Sequence, residues 1–340
     1  MAGAAGMAPP LSLRAALKEG ALVTAANWPV VLVDFGLWTL YEFALAVPVL
    51  GGAFMVNVLF GFNVASLVGQ GLGETADAII GALGAAPGAL AAFVAAAGLV
   101  AAGGLILIFV VKGGTLAVLV AGERAAGDLH RAPLHVAAIQ RASAWSVGAV
   151  YDGARRFGRR MGALAAWLCA TYLLIGSLAL AAITFGFRLA ADAAWAGLWP
   201  VFVLLATSSG LIAVTVANLM FDLLRVVILT DDCRLVEAFG RVRRFLVARA
   251  RQVIGVFAVT SGIFALAAAG WLVATANVAL IGFVPVAGLL VAPLQAAIWV
   301  VRGVLVQYLG LATLSAYQTQ YRRFQTPAAA APAPLREQTI

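Results

Sequence analysis

Residues 230–251 read TDDCRLVEAFGRVRRFLVARAR and form a polar segment between two long apolar runs. This segment holds six arginines and three acidic residues. With a helical period its large apolar residues share one face, which is the pattern of an amphipathic helix; they are Leu235, Phe239, Val242 and Leu246. Acidic residues open the segment and arginines close it, as the helix dipole favours. The pattern predicts a helix lying at a membrane surface with its basic face towards anionic headgroups.

The composition of the whole chain predicts an integral membrane protein. Of 340 residues, 64% are hydrophobic and 11% are charged, whereas soluble domains carry about 25% charged residues. The mean hydropathy is +1.02. The net charge of +8 comes almost entirely from arginines. Because these arginines lie beside apolar runs, they indicate cytoplasmic loops and argue against a nucleic-acid partner.

Six apolar runs are long enough to cross a bilayer, which takes about 20 residues. The predicted fold is therefore all-α, a polytopic bundle of six transmembrane helices with amphipathic helices at the cytoplasmic interface. Glycines in the second run, at positions 98, 103 and 104, predict close helix contacts. The membrane domain covers residues 12–321, and the tails 1–11 and 322–340 are predicted to be disordered. The runs are 28–47, 89–111, 161–187, 199–221, 253–275 and 286–311.

The positions of the arginines predict the topology. Residues 122–160 hold seven arginines and residues 230–251 hold six, whereas residues 49–88 hold no lysine or arginine. Positive loops stay in the cytoplasm, so six spans with both termini cytoplasmic fit the pattern. Pro48 is predicted to end the first span. A further crossing by the apolar residues 50–68 would move thirteen arginines outside, so this stretch is predicted to be re-entrant or to lie at the surface.

The two arginine segments resemble each other when one is shifted by 85 residues. A fainter match relates residues 19–21 to residues 152–154. These matches predict a unit of one surface helix and two spans that is used three times. The alternative is that any two basic amphipathic helices preceding a span look alike. The charged positions coincide in pairs: Asp152 with Glu237, Arg156 with Arg241, and Arg159 with Arg244.

Ionisable residues inside the apolar runs are the first candidates for chemistry, because burying one costs about 2.5 to 3.5 kcal/mol. All of them except Glu42 are expected to share a layer near the cytoplasmic side. This layer is either a polar pocket for an ion, a proton or a lipid headgroup, or a set of ion pairs that fixes helix packing. Glu42 is expected to be satisfied by Trp38, Tyr41 or the backbone, or held neutral by burial. The set is Asp34, Glu42, Lys112, Asp222, Arg225 and Arg302.

The arginine segments supply a second candidate site, for lipid headgroups or a partner protein. Its residues are Arg155, Arg156, Arg159, Arg160, Arg241, Arg243 and Arg244.

Motifs for catalysis, cofactors and metals are lacking in the sequence. His130 and His135 have too few further ligands near them to form a metal site, so we expect them to be surface residues. No span contains a histidine, which argues against haem. Cys169 and Cys233 form no CxxC motif, and Cys169 is expected to be a packing residue. The sequence therefore predicts a protein that is not an enzyme and has no cofactor and no metal.

Three stretches carry a resemblance to a known kind of membrane protein: ALKEGALVTAANWPVVLV at 16–33, LTDDCRLVEAFGRVRRFL at 229–246 and VPVAGLLVAP at 284–293. Their layout resembles a group of bacterial six-span proteins that is similar to the membrane domain fused to some glycerophosphodiester phosphodiesterases. In such fusions the phosphodiesterase chemistry belongs to a separate soluble domain, so no catalytic residue carries over. The resemblance implies an accessory role in the bacterial inner membrane.

Two hypotheses of function follow. In the first, the protein is a scaffold or accessory subunit whose arginine helices bind anionic lipid headgroups, a partner protein or a second copy of the chain. In the alternative, it is a transporter or lipid translocator that uses Asp34, Glu42 and Arg302. An intramembrane enzyme would need a nucleophile or a metal cluster at membrane depth, and the sequence offers neither.

Overall fold

The structure is a computed structural model, and the residues it describes are all-helical or in short connections. This confirms the predicted all-α class. The described ranges are 11–60, 87–127, 129–130, 136–190, 198–282 and 285–326. Their helices are α1 (Leu13–Ala26), α2 (Trp28–Phe60), α3 (Pro87–Ala126), α4 (Val136–Ala142), α5 (Val147–Ala190), α6 (Trp199–Asp231), α7 (Leu235–Gly282) and α8 (Pro285–Gln325).

Six of these helices, α2, α3 and α5 to α8, are long and apolar enough to cross a membrane. Each of the six predicted runs lies in one of them. Apart from α7, which is kinked at Arg249, the six helices contain 33 to 44 residues, which corresponds to about 50 to 66 Å, whereas the hydrocarbon core is about 30 Å thick. The chain is therefore a multi-pass membrane protein whose span helices extend well beyond the hydrocarbon.

The two arginine segments lie at the starts of α5 and α7. Residues 147–160 continue directly into the rest of α5, whereas residues 235–248 form a helix that a kink separates from the remainder of α7. In α7 the backbone leaves helical geometry at Arg249, with φ −133° and ψ 26°. Of the predicted amphipathic segments, the first forms a separate helix, α1, which ends at the C-cap Asn27, and residues 235–248 form a helix set apart from its span by the kink at Arg249.

Pro48 does not end the helix, because α2 continues through it to Phe60, whereas the candidate membrane span is Trp28–Pro48 as predicted. Proline removes one helical hydrogen bond, but membrane helices tolerate it because an apolar environment favours keeping all other backbone bonds inside the helix. Residues 50–60 are thus helical, whereas residues 61–68 of the predicted re-entrant stretch lie outside the described residues. The same holds for tail residues 1–10 and 327–340.

The C-terminal end also differs from the prediction, because α8 continues to Gln325. Residues 322–325, which were assigned to the disordered tail, are therefore helical. Their side chains belong to the packed end of the helix: Arg322 forms an ion pair with Glu123 on α3.

The chain divides into two compact units, and the smaller comprises Gly36–Phe109. In this unit the ring of Tyr41 lies where a side chain at Gly104 would begin. The Tyr41 hydroxyl donates to the carbonyl of Ala101 at 3.3 Å. The close helix contact predicted at Gly104 is therefore present, whereas Gly98 and Gly103 have open space beside them.

The larger unit, Met1–Phe35 with Val110–Ile340, has its core at the arginine-bearing helix ends. α1 lies antiparallel on α8, since Gln320 donates to the carbonyl of Leu11 and the Tyr308 hydroxyl donates to that of Ala21. Large side chains fill this core, among them Tyr317, Tyr321, Phe245, Leu224 and Ile228.

The middle parts of the span helices in this unit present many large apolar side chains outward, as lipid contact requires. Leu173 on α5, Leu211 on α6 and Leu266 on α7 are each more than two-thirds exposed. A bilayer would cover these side chains.

Candidate functional site

The structure brings together four of the predicted intramembrane charges. Asp34 on α2 lies opposite Lys112 on α3, with 4.0 Å between Oδ2 and Nζ. On α6, Arg225 pairs with Asp222 one turn away, with 3.0 Å between Nη1 and Oδ1. The two pairs lie within electrostatic reach of each other, since Lys112 interacts with Asp222 and Arg225 with Asp34. We call these four residues the charge cluster.

The charge cluster is electrically balanced and largely closed. Two acids face two bases, and the side chain of Asp34 is 0% exposed. Both carboxylate oxygens of Asp34 nevertheless lack a hydrogen bond of normal geometry to any described residue. Buried polar atoms without such bonds are uncommon. The arrangement favours ion pairs that fix helix packing, with Asp34 held mainly by the charge of Lys112.

Glu42 and Arg302 have partners of their own. Glu42 is exposed and accepts a 2.7 Å hydrogen bond from Nε1 of Trp38, which is one of the partners predicted for it.

Arg302 lies outside the charge cluster, although the packing of Gly303 on Phe35 places it at about the depth of Asp34. Its guanidinium lies 5.8 Å from the ring centroid of Trp271 on α7, between two clefts of about 300 and 310 Å³. The reason is the rotation of α8: Gly303 packs directly against the ring of Phe35, so the preceding residue points towards α7.

Two neighbouring aspartates tie the arginine ends of the helices together. Asp232, which has a left-handed backbone (φ 50°, ψ 37°) at the end of α6, accepts hydrogen bonds from Arg156 and Arg160 on α5. Asp231 accepts from Arg241 on α7 and, at 2.6 Å, from the hydroxyl of Tyr321 on α8. Together they join α5, α6, α7 and α8. The sequence indicated only a helix-dipole role for them.

These contacts change the ionisation of the turn between α6 and α7. The hydrogen bond from Arg156, with that from Arg160, holds the pKa of Asp232 below its ordinary value. Burial raises the pKa of the neighbouring Cys233 thiol. The Cys233 sulfur lies 3.9 Å from the carbonyl oxygen of Val227, so it serves as a packed, protonated thiol.

A second polar network fixes α1 and α8 on α3. Nδ1 of His130 lies 2.6 Å from Oε2 of Glu19, and Glu19 is buried. Glu123 accepts a hydrogen bond from Gln318 and lies 3.3 Å from Arg322. The expectation that His130 is a surface residue is therefore wrong, because its imidazole contacts the buried carboxylate of Glu19. His135 lies outside the described residues.

The seven predicted headgroup-binding arginines fall into two groups. Arg156, Arg160 and Arg241 are bound to the aspartate pair. The other four are exposed and form no ion pair with any residue in the described ranges. We call this second group the arginine surface: Arg155, Arg159, Arg243 and Arg244.

Exposed apolar side chains accompany the arginine surface on the same helix faces. On α5, Val147 and Tyr151 are 75% and 65% exposed, four residues apart and in line with Arg155. On α7, Val236 and Val247 are 83% and 81% exposed, and Val247 is four residues from Arg243. Outward-facing arginines beside outward-facing apolar groups are typical of helices that contact the headgroup region of a bilayer.

Comparisons with known proteins found no match: no family model, no curated protein and no solved structure matches this chain. Within the described ranges, no three His, Cys, Asp or Glu side chains lie close enough together to hold a metal ion. The resemblance to the membrane domain of glycerophosphodiester phosphodiesterases stays a prediction.

Proposed function

We propose that this protein is a non-catalytic scaffold or accessory subunit of the bacterial inner membrane that binds anionic lipid headgroups through its arginine surface. The observation that carries the proposal is the division of the arginines. Three of them are held by aspartates within the fold, while Arg155, Arg159, Arg243 and Arg244 face outward beside exposed apolar side chains.

The chemistry of these four side chains suits phosphate. A guanidinium binds phosphate oxygens in bidentate fashion, and each basic residue near an anionic bilayer surface contributes about 1 kcal/mol. The exposed Tyr151 and Val247 can enter the interface beside the headgroups. Four cations on two helices thus form an open surface. It binds anionic lipids by their charge and does not select among them by headgroup shape.

The orientation in the proposal, with the arginine ends and both termini in the cytoplasm, draws on the positive-inside rule. It is supported by contacts between the arginine-bearing ends. Arg124 at the end of α3 donates to the carbonyl of Thr230 at the end of α6 at 2.9 Å, and Arg322 reaches Glu123. Helix ends that contact each other must lie on the same side of the bilayer.

The test measures which lipids are enriched around the protein in nanodiscs that an amphipathic polymer extracts directly from the membrane. We expect the discs of the natural protein to be enriched in phosphatidylglycerol over phosphatidylethanolamine, and a variant with all four arginines of the surface changed to Gln to lose that enrichment. The matched control changes the same four residues to Lys, which keeps the charge. Equal enrichment in the Gln and natural proteins would contradict the proposal.

A second candidate function, a transporter, is favoured by one observation, the buried and loosely held carboxylate of Asp34. A buried carboxylate at membrane depth that lacks hydrogen bonds of normal geometry is suited to carrying a proton or contacting an ion. The candidate predicts that Asp34→Asn abolishes flux in proteoliposomes while the protein still inserts. Normal flux in this variant and in Glu42→Gln would exclude it.

A further inference from the structure

A groove of about 480 Å³ lies where α1 crosses α7 and α8. Its α1 wall carries two basic side chains, Arg14 and Lys18, and its remaining lining is mainly apolar and includes Leu17, Ile263 and Leu309. The residues that line it include no acid. None of them belongs to the charge cluster or to the arginine surface.

The walls of the groove are fixed by packing. Gly20 packs so closely on α8 that a side chain there would collide with the backbone at Ala312 and Ala316. At the other end of α1, Leu13 packs beside Gly255 on α7, where an added Cβ would lie 3.6 Å from Cδ2 of Leu13. The groove is therefore a preformed feature of the fold, as ligand sites usually are.

The groove is basic at its shallow end and apolar at its deep end. Arg14 lies next to Leu13, level with Gly255, while Ile263 comes eight residues later on α7 and thus about 12 Å deeper. Ile263 is 42% exposed. The groove therefore matches a molecule with a charged head and an apolar tail.

The two basic side chains keep their charge available. Arg14 is exposed and has no ion pair with any residue that the structure describes. Lys18 donates only to a backbone carbonyl, that of His130, at 3.3 Å. The adjacent acid, Glu19, points away from the groove and is buried against His130. The positive charge at the mouth is therefore not cancelled.

We propose that this groove binds one anionic phospholipid, with its phosphate at Arg14 and Lys18 and an acyl chain along Leu309 and Ile263. Basic pockets between membrane helices on the cytoplasmic side recognise such headgroups. A choline headgroup would bring a second cation to Arg14, so a zwitterionic lipid is disfavoured by charge. The proposal shares its cytoplasmic orientation with the proposed function but uses different residues.

Native mass spectrometry of the full chain, released from detergent, tests this site with phosphatidylglycerol and phosphatidylcholine as probes. We expect one phosphatidylglycerol per chain to survive activation that strips the others, and phosphatidylcholine not to. Each removed cation lowers the affinity by about fivefold, so Arg14→Gln with Lys18→Gln lowers it by about 25-fold. Ile263→Trp keeps both charges and fills the deep end, and should also release the retained lipid.

The outcomes separate the groove from the arginine surface. Retention that falls in the Arg14 and Lys18 double variant but not in Arg243→Gln with Arg244→Gln supports the groove, whether or not the surface binds lipid. Retention that is unchanged in the double variant, unchanged in Ile263→Trp, or equal for the two lipids overturns it. Size-exclusion profiles matching the natural protein show that the substitutions leave the fold intact.

Discussion

Asn27 joins three segments of the chain through one side-chain amide. Its Nδ2 donates to the carbonyls of Val23 at 2.9 Å and Ala142 at 2.8 Å, and its Oδ1 accepts from the amide of Ala144 at 2.8 Å. It is fully buried. The amide thus caps α1 and also positions the connection from α4 to α5. The arginine segment of α5 follows this connection directly.

Asn27→Ala should lower the free energy of unfolding by about 2 to 3 kcal/mol, because it leaves the buried carbonyl of Ala142 and the amide of Ala144 without partners. Thermal unfolding in detergent measures the change. Asn277→Ala is the matched control, since Asn277 is exposed and donates only to its own helix at Val273. A melting temperature that falls equally in both variants would contradict this role of Asn27.

Asp232 should make stability depend on acid pH. Its folded pKa is depressed, foremost by the hydrogen bond from Arg156. Its contribution is therefore present above the ordinary unfolded pKa of about 3.9 and is lost as the pH falls through the folded value.

Asp232→Asn should accordingly lower the melting temperature at pH 7 and flatten its decline below pH 4. The pair is partly exposed, so the effect is about 1 kcal/mol or less. The comparison is Asp152→Asn, which removes an exposed carboxylate that pairs with no described residue. A pH profile of Asp232→Asn that follows the natural protein would contradict the assignment.

Among the helices, small residues set the closest crossings of the larger unit. Gly153 on α5 lies against α3, where its added Cβ would be 2.9 Å from Cβ of Ala117. Gly20 on α1 lies against the α8 backbone. Ala238 on α7 is 0% exposed. These three positions correspond in the predicted threefold repeat, and each fits a small residue packed where an arginine segment meets a neighbouring helix.

Leu substituted at Gly20, Gly153 or Ala238 should reduce the monodisperse folded fraction sharply, because overpacking in a close helix crossing costs about 1–3 kcal/mol. Gly240→Leu, where the space is open, should leave that fraction unchanged. Size-exclusion chromatography after detergent extraction gives the comparison. If Gly153→Leu behaved like Gly240→Leu, the close crossing of α5 on α3 would be excluded.

Hydropathy was enough to predict the six span helices and the all-α class, because a bilayer requires long apolar helices. It did not predict where the helices end. The backbone bonds of α2 continue past Pro48, and those of α5 pass unbroken through its arginine segment. A change in side-chain polarity marks the membrane boundary, whereas helix ends depend on capping and packing.

The charge cluster could be predicted from the sequence, whereas some other parts of the site could not. Asp34, Lys112, Asp222 and Arg225 do meet, because depth along each helix follows from residue counts. The position of Arg302 was not predictable, because it depends on how Gly303 and Phe35 rotate α8. The role of the pair Asp231–Asp232 depends on tertiary contacts to α5 and α7, which no local pattern encodes.

For the molecule as a whole, the arginine-bearing ends of α3, α5, α6, α7 and α8 contact one another through Arg124, Asp231 and Asp232. Segments that sequence reasoning assigned to one side of the membrane therefore touch in the folded chain. The start of α6 at Leu198 is separated from this end by a helix of 33 residues, about 50 Å. In the proposed orientation, the arginine end faces the cytoplasm.

Cysteine labelling in intact cells tests this claim most directly. With Cys169 and Cys233 replaced by Ala, a cysteine is introduced either at Gly240, where the space is open, or at Leu198, which is 39% exposed. A membrane-impermeant maleimide should label the Leu198→Cys variant in intact spheroplasts and the Gly240→Cys variant only after lysis. Labelling of Gly240→Cys in intact spheroplasts would place the arginine surface outside and contradict the account.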